Sequence, residues 1–188
     1  MRLWVTGYRS YELGIFQPDD EKIKVIQYSL KKNLIEKFDD GLEWLITGSQ
    51  LGVEQWAADT GITMKKDYPE LKVAMMDPFQ NMGERWKPDK KIRLAQLKEK
   101  ADYSNSISNQ GYQSPQQLIA YQHFMFSHTE QCLMVYDPEY PGKTKYDYEF
   151  IQRQVEKENT KDYELTLIDM YDLQDAAREY EEEKKSDY

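Results

Sequence analysis

Short apolar runs alternate with amphipathic helical stretches along almost the whole chain, and this alternation constrains the fold more than any other feature. A strand that returns parallel to its neighbour needs a long crossover, usually a helix, so the pattern calls for a parallel sheet covered on both faces. Residues 3–6 read as a first strand that ends at Thr6-Gly7-Tyr8-Arg9. Pro18-Asp19-Asp20-Glu21 opens a helix whose apolar positions Ile23, Ile26, Leu30, Leu34 and Phe38 fall 3, 4, 4 and 4 residues apart. A strand over 43–47, a helix over 53–65 and a strand over 71–76 follow. A cationic helical stretch is expected over 81–100, then a polar fourth strand over 103–107. Ser114-Pro115 opens a helix to about residue 129, ahead of a fifth strand over 132–136. A helix with Tyr148, Ile151 and Val155 on one face leads to a last strand over 165–168. The final helix carries Leu173, Ala176, Ala177 and Tyr180, and residues 181–188 are expected to form a solvated acidic tail. No repeat, low-complexity linker or shift in composition divides the chain, so residues 1–188 are expected to form one α/β domain. Its expected architecture is a three-layer αβα sandwich around a doubly wound, mostly parallel sheet of about 5–6 strands.

Charge narrows the partners. With 25 Lys+Arg against 34 Asp+Glu the net charge is −9, which argues against coating nucleic acid through bulk electrostatics. It leaves room for a small anion held by local backbone dipoles. The single cysteine, Cys132, lies in an apolar run and reads as inert core, so neither a disulfide framework nor a multi-cysteine metal site is expected. The first residues run directly into a strand without a signal-peptide pattern. No apolar run approaches the ~20 residues of a membrane span. The expectation is a cytoplasmic protein with no membrane span.

In an open parallel sheet ligands bind beyond the carboxyl ends of the strands, so the turns there matter most. The turn Thr47-Gly48-Ser49-Gln50-Leu51-Gly52-Val53-Glu54 is the most informative. Its glycines allow close backbone approach, the hydroxyls of Thr47 and Ser49 can donate to an anion, and the helix behind it offers free N–H groups. That combination suits phosphate; the other reading is a tight turn with Ser49 near a cap. Glu54, in the first helical turn, is either a dipole-stabilised carboxylate or an acid beside a phosphate cradle that orients water or ribose hydroxyls. Thr6, Gly7 and Arg9 after the first strand, and Gly142 and Thr144 after the fifth, are the remaining ligand-binding candidates. Gly142-Lys143-Thr144 has the ending of a phosphate-binding P-loop, but Asp137 replaces its first glycine, and Pro138 and Pro141 remove amide donors. His123 and His128 stand five apart, about 140° around a helix, and do not converge on a metal. Arg85 and Trp86, just after the third strand, are placed to close over a ligand.

These turns resemble a known superfamily. The run from Ile46 to Glu54 and the Pro141-Gly142-Lys143-Thr144 entrance are similar to the Rossmann-like domain shared by DprA and the LOG phosphoribohydrolases. The chain as a whole, over about residues 1–170, resembles the YpsA family of firmicute bacteria. The resemblance implies a pocket for a nucleotide, NAD or an ADP-ribose-like molecule, and a link with bacterial cell division. It assigns the phosphate-contacting turn to Gly48, Ser49 and Gly52 with Glu54 beside it, and completes the pocket with Gly7, Gly142 and Thr144. LOG enzymes carry a Pro-Gly-Gly-x-Gly-Thr-x-x-Glu run, of which this chain keeps only part. Lys143 replaces a glycine, Glu149 stands near the place of the acid, and Arg85 near that of the catalytic arginine.

The expectation is therefore a module that senses a nucleotide-derived ligand and signals to a protein partner, with more regulatory than catalytic character. The alternatives are a nucleotide N-glycosidase using Glu54, Arg85 or Glu149, and a single-stranded nucleic-acid binder stacking bases on Tyr and Trp. The 15 tyrosines also leave a homodimer open.

Overall fold

Leu3, Trp4 and Val5 are wholly buried, which a strand in the middle of a sheet covered on both faces requires. The computed structural model describes residues 1–158 and 162–186. Its strands are β1 (Arg2–Gly7), β2 (Trp44–Thr47), β3 (Lys72–Asp77), β4 (Tyr103–Ser106), β5 (Gln131–Val135) and β6 (Glu164–Ile168). Its α-helices are α1 (Glu21–Asp39), α2 (Val53–Met64), α3 (Pro88–Lys100), α4 (Gln116–Ser127), α5 (Lys145–Glu158) and α6 (Met170–Ser186). The six strands form one all-parallel sheet in the order β4-β3-β2-β1-β5-β6. This is the doubly wound, Rossmann-like three-layer arrangement that the alternation predicts.

The order places the site. From β1 the chain winds outward through β2 and β3 to β4, then returns to the other side of β1 as β5. β1 and β5 are neighbours, with Leu3 opposite Gln131 and Gly7 opposite Val135. Connections leave these two strands in opposite directions, so a crevice opens beyond their carboxyl ends.

The helices follow their apolar stripes. Ile26, Leu30 and Leu34 of α1 are buried, and the Asp20 side chain caps the helix by accepting from the Lys22 amide at 2.9 Å. α1 packs against α2 and α6, and α4 against α5. α6 is held to α1 by Tyr28, whose hydroxyl donates to Glu183 at 2.7 Å, and by the Lys32–Glu179 ion pair. The helix continues through Ser186, so the acidic residues Glu181, Glu182 and Glu183 stand on its exposed side rather than in an unstructured tail. Residues 187–188 of that segment lie outside the described residues.

One boundary differs from expectation. The cationic stretch is helical only from Pro88 onward, and residues 79–87 form turns, with Asn81 and Gly83 at positive φ. Proline lacks the amide a helix interior needs and drives the preceding residue into extended backbone, as Lys87 shows with ψ 152°. The polar fourth strand is an exposed edge, paired only with β3.

α2 lies close on the sheet at Gly61, where a Cβ would sit 2.9 Å from Val73 Cγ2 and 3.1 Å from Leu45 Cδ1. Gly61→Val is expected to overpack this contact and to cost about 1–3 kcal/mol, read as a lower urea midpoint. An unchanged midpoint would mean that α2 can step away from the sheet without loss.

Candidate functional site

A cavity of about 440 Å³ opens beyond the carboxyl ends of the central strands. Arg9 from the loop after β1, and Ser49, Gln50 and Glu54 from the turn after β2, form its floor. α4 supplies an apolar wall through Leu118 and Ile119, together with Tyr121 and Gln122. The entrance to α5 supplies Lys143, Tyr146 and Asp147, and Arg153 follows two turns later. Three cations, two carboxylates and an apolar wall thus share one hollow.

Glu54 organises the floor. Its Oε1 accepts from the Thr6 hydroxyl at 3.0 Å and its Oε2 from the Gln50 amide at 2.8 Å. The side chain is 5% exposed, and burial pushes its carboxyl above the ordinary range, against the opposing pull of Arg9 and the Gln50 amide. Both oxygens are engaged within the protein, so the carboxylate ties the end of β1 to the turn after β2.

The loops after β1 and β2 are also joined directly. The Ser10 amide donates to the Leu51 carbonyl at 3.0 Å and the Val53 amide to the Tyr8 carbonyl at 3.1 Å. Gly52 sits there at φ +124°, and a Cβ on it would lie 2.5 Å from both the Ser10 nitrogen and the Tyr8 oxygen. The close approach at Gly52 is therefore made by the chain's own loop. At Gly48 the adjoining space holds the Glu54 carboxylate and, 2.7 Å from an added Cβ, the Tyr121 hydroxyl.

Asp147 is the second acid. Gln122 Nε2 donates to its Oδ1 at 2.7 Å, while Oδ2 makes no hydrogen bond among the described residues. Burial raises its carboxyl too, opposed by the Gln122 hydrogen bond and by Arg9. Tyr121 stands nearby; burial first, then the charges of Glu54 and Asp147, raise its phenol well above its ordinary value. The Tyr121 hydroxyl and the Ser49 hydroxyl are buried without a hydrogen-bond partner among the described residues. Unpaired polar groups of this kind are uncommon in protein interiors and mark places where a ligand or water completes the bonding.

The remaining candidates fall around this hollow rather than in it. Thr6 and Thr47 are wholly buried, and the Thr47 hydroxyl donates to the Val5 carbonyl at 2.7 Å. Gly7 packs against Val135 and Val53. Thr144 is wholly buried, with its hydroxyl unpartnered among the described residues. Beside Gly142 lies Glu12, whose Oε1 accepts from the Lys143 amide at 2.6 Å and whose Oε2 accepts from the Arg9 amide at 2.8 Å. A carboxylate of the chain itself thus accepts the Lys143 amide at the α5 entrance. Arg85 is exposed and outside the cavity lining, in the turns before α3. Glu149 is also exposed, 3.9 Å from Arg153 one turn on. His123 packs edge-on against Phe150, and His128 stacks on Phe124.

The sequence reading missed Asp147, Tyr121 and Gln122. Asp147 did carry a signal, because it lies three and four residues before the buried Phe150 and Ile151 and so falls on the helix face turned inward. A carboxylate on such a face has to meet a partner or a ligand. Tyr121 and Gln122 carried no comparable mark.

Comparison with known proteins finds relatives along nearly the whole chain. The sequence profile of the YspA SLOG family matches residues 3–173. The UPF0398 protein of Levilactobacillus brevis is 55% identical over 181 residues, covering 96% of this chain and 94% of the relative. The UPF0398 protein of Lactiplantibacillus plantarum is 48% identical, covering 100% of this chain and 97% of the relative. That of Ligilactobacillus salivarius is 49% identical, with coverage of 97% and 98%. A match over nearly the whole chain, together with relatives about half identical over almost their full length, assigns the protein to the YspA SLOG family.

Proposed function

We propose that the cavity binds a nucleotide-derived ligand of the nucleotide, NAD or ADP-ribose type, and that its occupancy is passed to a protein partner. One observation carries this reading. Arg9, Lys143 and Arg153 surround a hollow that also holds two buried unpartnered hydroxyls and an apolar wall. Cations suit phosphate, hydroxyls suit polar ligand atoms, and Leu118, Ile119 and Tyr146 suit the flat face of a base. The volume of about 440 Å³ lies in the range of small-molecule sites. The position at the topological switch point supports the same conclusion. A regulatory output, which the resemblance links to bacterial cell division, would leave through the exposed faces of this domain.

Glu54 takes a structural part in this reading. Its oxygens already hold Thr6 and Gln50, so its work is to keep the turn after β2 in shape. The cationic side chains that line the hollow are then the groups left to meet phosphate.

Titration of the purified chain with ADP-ribose, NAD and nucleoside mono- and diphosphates, by calorimetry and thermal unfolding, tests the proposal. Saturation at a hundred times the dissociation constant should stabilise the fold by about 2.7 kcal/mol. Arg9→Gln should weaken a phosphate-bearing ligand about tenfold or more, as loss of a charged hydrogen bond implies. If no nucleotide shifts the unfolding temperature, the reading fails. Glu54 gives a separate prediction. Its upward shift means that the folded chain keeps a proton after the unfolded chain has lost it. That contribution is present below the ordinary glutamate range of about 4.3 and is lost as pH rises through the raised value. Glu54→Gln keeps an acceptor for Gln50 and a donor for Thr6 but cannot ionise. Its stability relative to the parent should improve as urea titrations move from about pH 4 to about pH 8. A difference that does not change with pH would contradict the buried, proton-retaining carboxyl.

A further inference from the structure

From Tyr103 to Thr129 the chain runs for 27 residues without an Asp, Glu, Lys or Arg, although 31% of all its residues are charged. His123 and His128 both lie in this run and are neutral in the net charge of −9. The run comprises β4, the loop after it and α4. Much of it is surface: Tyr103, Tyr112, Leu118 and Ile119 stand exposed, four of the ten large hydrophobic side chains that do so among the described residues. Gln117 joins loop and helix into one surface. Its Nε2 donates to the Ser108 hydroxyl at 2.9 Å and to the Gly111 carbonyl at 3.0 Å, and its Oε1 accepts from the Gln113 amide at 2.6 Å. We propose that a second copy of this chain docks on this surface, in a two-fold symmetric dimer.

The sheet is unevenly covered there. α6, α1, α2 and α3 pack in that order as one layer, whereas α4 packs with α5. The crossover through α4 runs from β4 back to β5, opposite in direction to those through α1, α2 and α3, so α4 lies on the other face. Leu45 and Val73 point at Gly61 of α2, so Ala74 and its register partner Tyr103 point to the face of α4. β4 also ends the sheet, paired only with β3. An open edge is ordinarily guarded by charge or proline, and the Tyr-Ser-Asn-Ser of β4 has neither.

Charge selects the occupant. Across a two-fold axis a patch meets its own copy, so a charge near the axis faces the same charge. Two copies at −9 repel over the rest of their surfaces, and a patch free of charge is where they approach without a local penalty. The same patch gives an acidic or a basic partner nothing to pair with. Interface cores are depleted of charge and enriched in aromatic side chains, as this run is. Leu118 and Ile119 serve both this surface and the cavity wall, so the dimer borders the cavity.

Sedimentation velocity of the full chain and of charged variants tests the proposal. Asn105 and Ala120 are exposed, outside the cavity lining, one on β4 and one on α4. The parent should sediment as a dimer. Asn105→Glu with Ala120→Glu, and Asn105→Lys with Ala120→Lys, should each dissociate at least tenfold more readily, and a one-to-one mixture of the two should recover a dimer. Tyr171→Glu, on exposed α6 of the other layer, should leave the dimer intact. Thermal unfolding checks each fold, and Ala120→Glu and Ala120→Lys alone serve if the change at Asn105 disturbs β4. A monomeric parent overturns the proposal, as do charged variants that stay dimeric. If only one sign of charge weakens association, the patch meets a charged surface and not its own copy, which also overturns it. So does a mixture that stays monomeric.

Discussion

The buried Glu54 carboxylate holds together the carboxyl edge of the sheet. Thr6 comes from the end of β1 and Gln50 from the turn after β2, and these two elements are joined through one side chain of α2. A charged group with so little exposure is tolerated only where its oxygens are bonded, and here both are. Gly48 is part of the same constraint, because the carboxylate and the Tyr121 hydroxyl occupy the space a side chain would need. The floor of the cavity is in this sense prepared by the protein before any ligand arrives.

Two features that look like anion cradles in the sequence are met in part by the chain's own groups. The amides of Gln50 and Val53 bond to Glu54 and to the loop after β1, and the amide of Lys143 bonds to Glu12. Backbone donors at a helix entrance need a partner, and a neighbouring carboxylate meets that need as a phosphate does. The side chains lining the cavity beside them are Arg9, Lys143 and Arg153 as cations, Ser49 and Tyr121 as hydroxyls, and Asp147 as an acceptor.

Much of the fold was legible from local patterns. Ile26, Leu30 and Leu34 recur at helical spacing and are buried on α1, and the runs that became β1, β2, β3 and β5 were bounded by glycine or proline turns. α3 starts later than the cationic stretch over 81–100 implies, because the missing amide of Pro88 decides the boundary. Arg9, Ser49 and Glu54 stand out in the sequence because they sit on turns beyond strand ends, and all three line the cavity. Arg85 and Glu149 stand out only by motif likeness; both side chains are exposed and outside the cavity lining, Glu149 beside Arg153.

By itself the sequence determined the alternation of strands and helices, and hence a parallel sheet with helices on both faces, since period and turn chemistry are local properties. It also determined that the turns after the strands would lie at one edge, because every strand of such a sheet points the same way. Only the tertiary structure decided which acids face the cavity. Asp147 and Tyr121 are 26 residues apart on different helices, and their approach to Glu54 depends on β5 lying beside β1. Strand order is set by the packing of the whole sheet. No local pattern encodes it, so the composition of the pocket could be read only after the fold had closed.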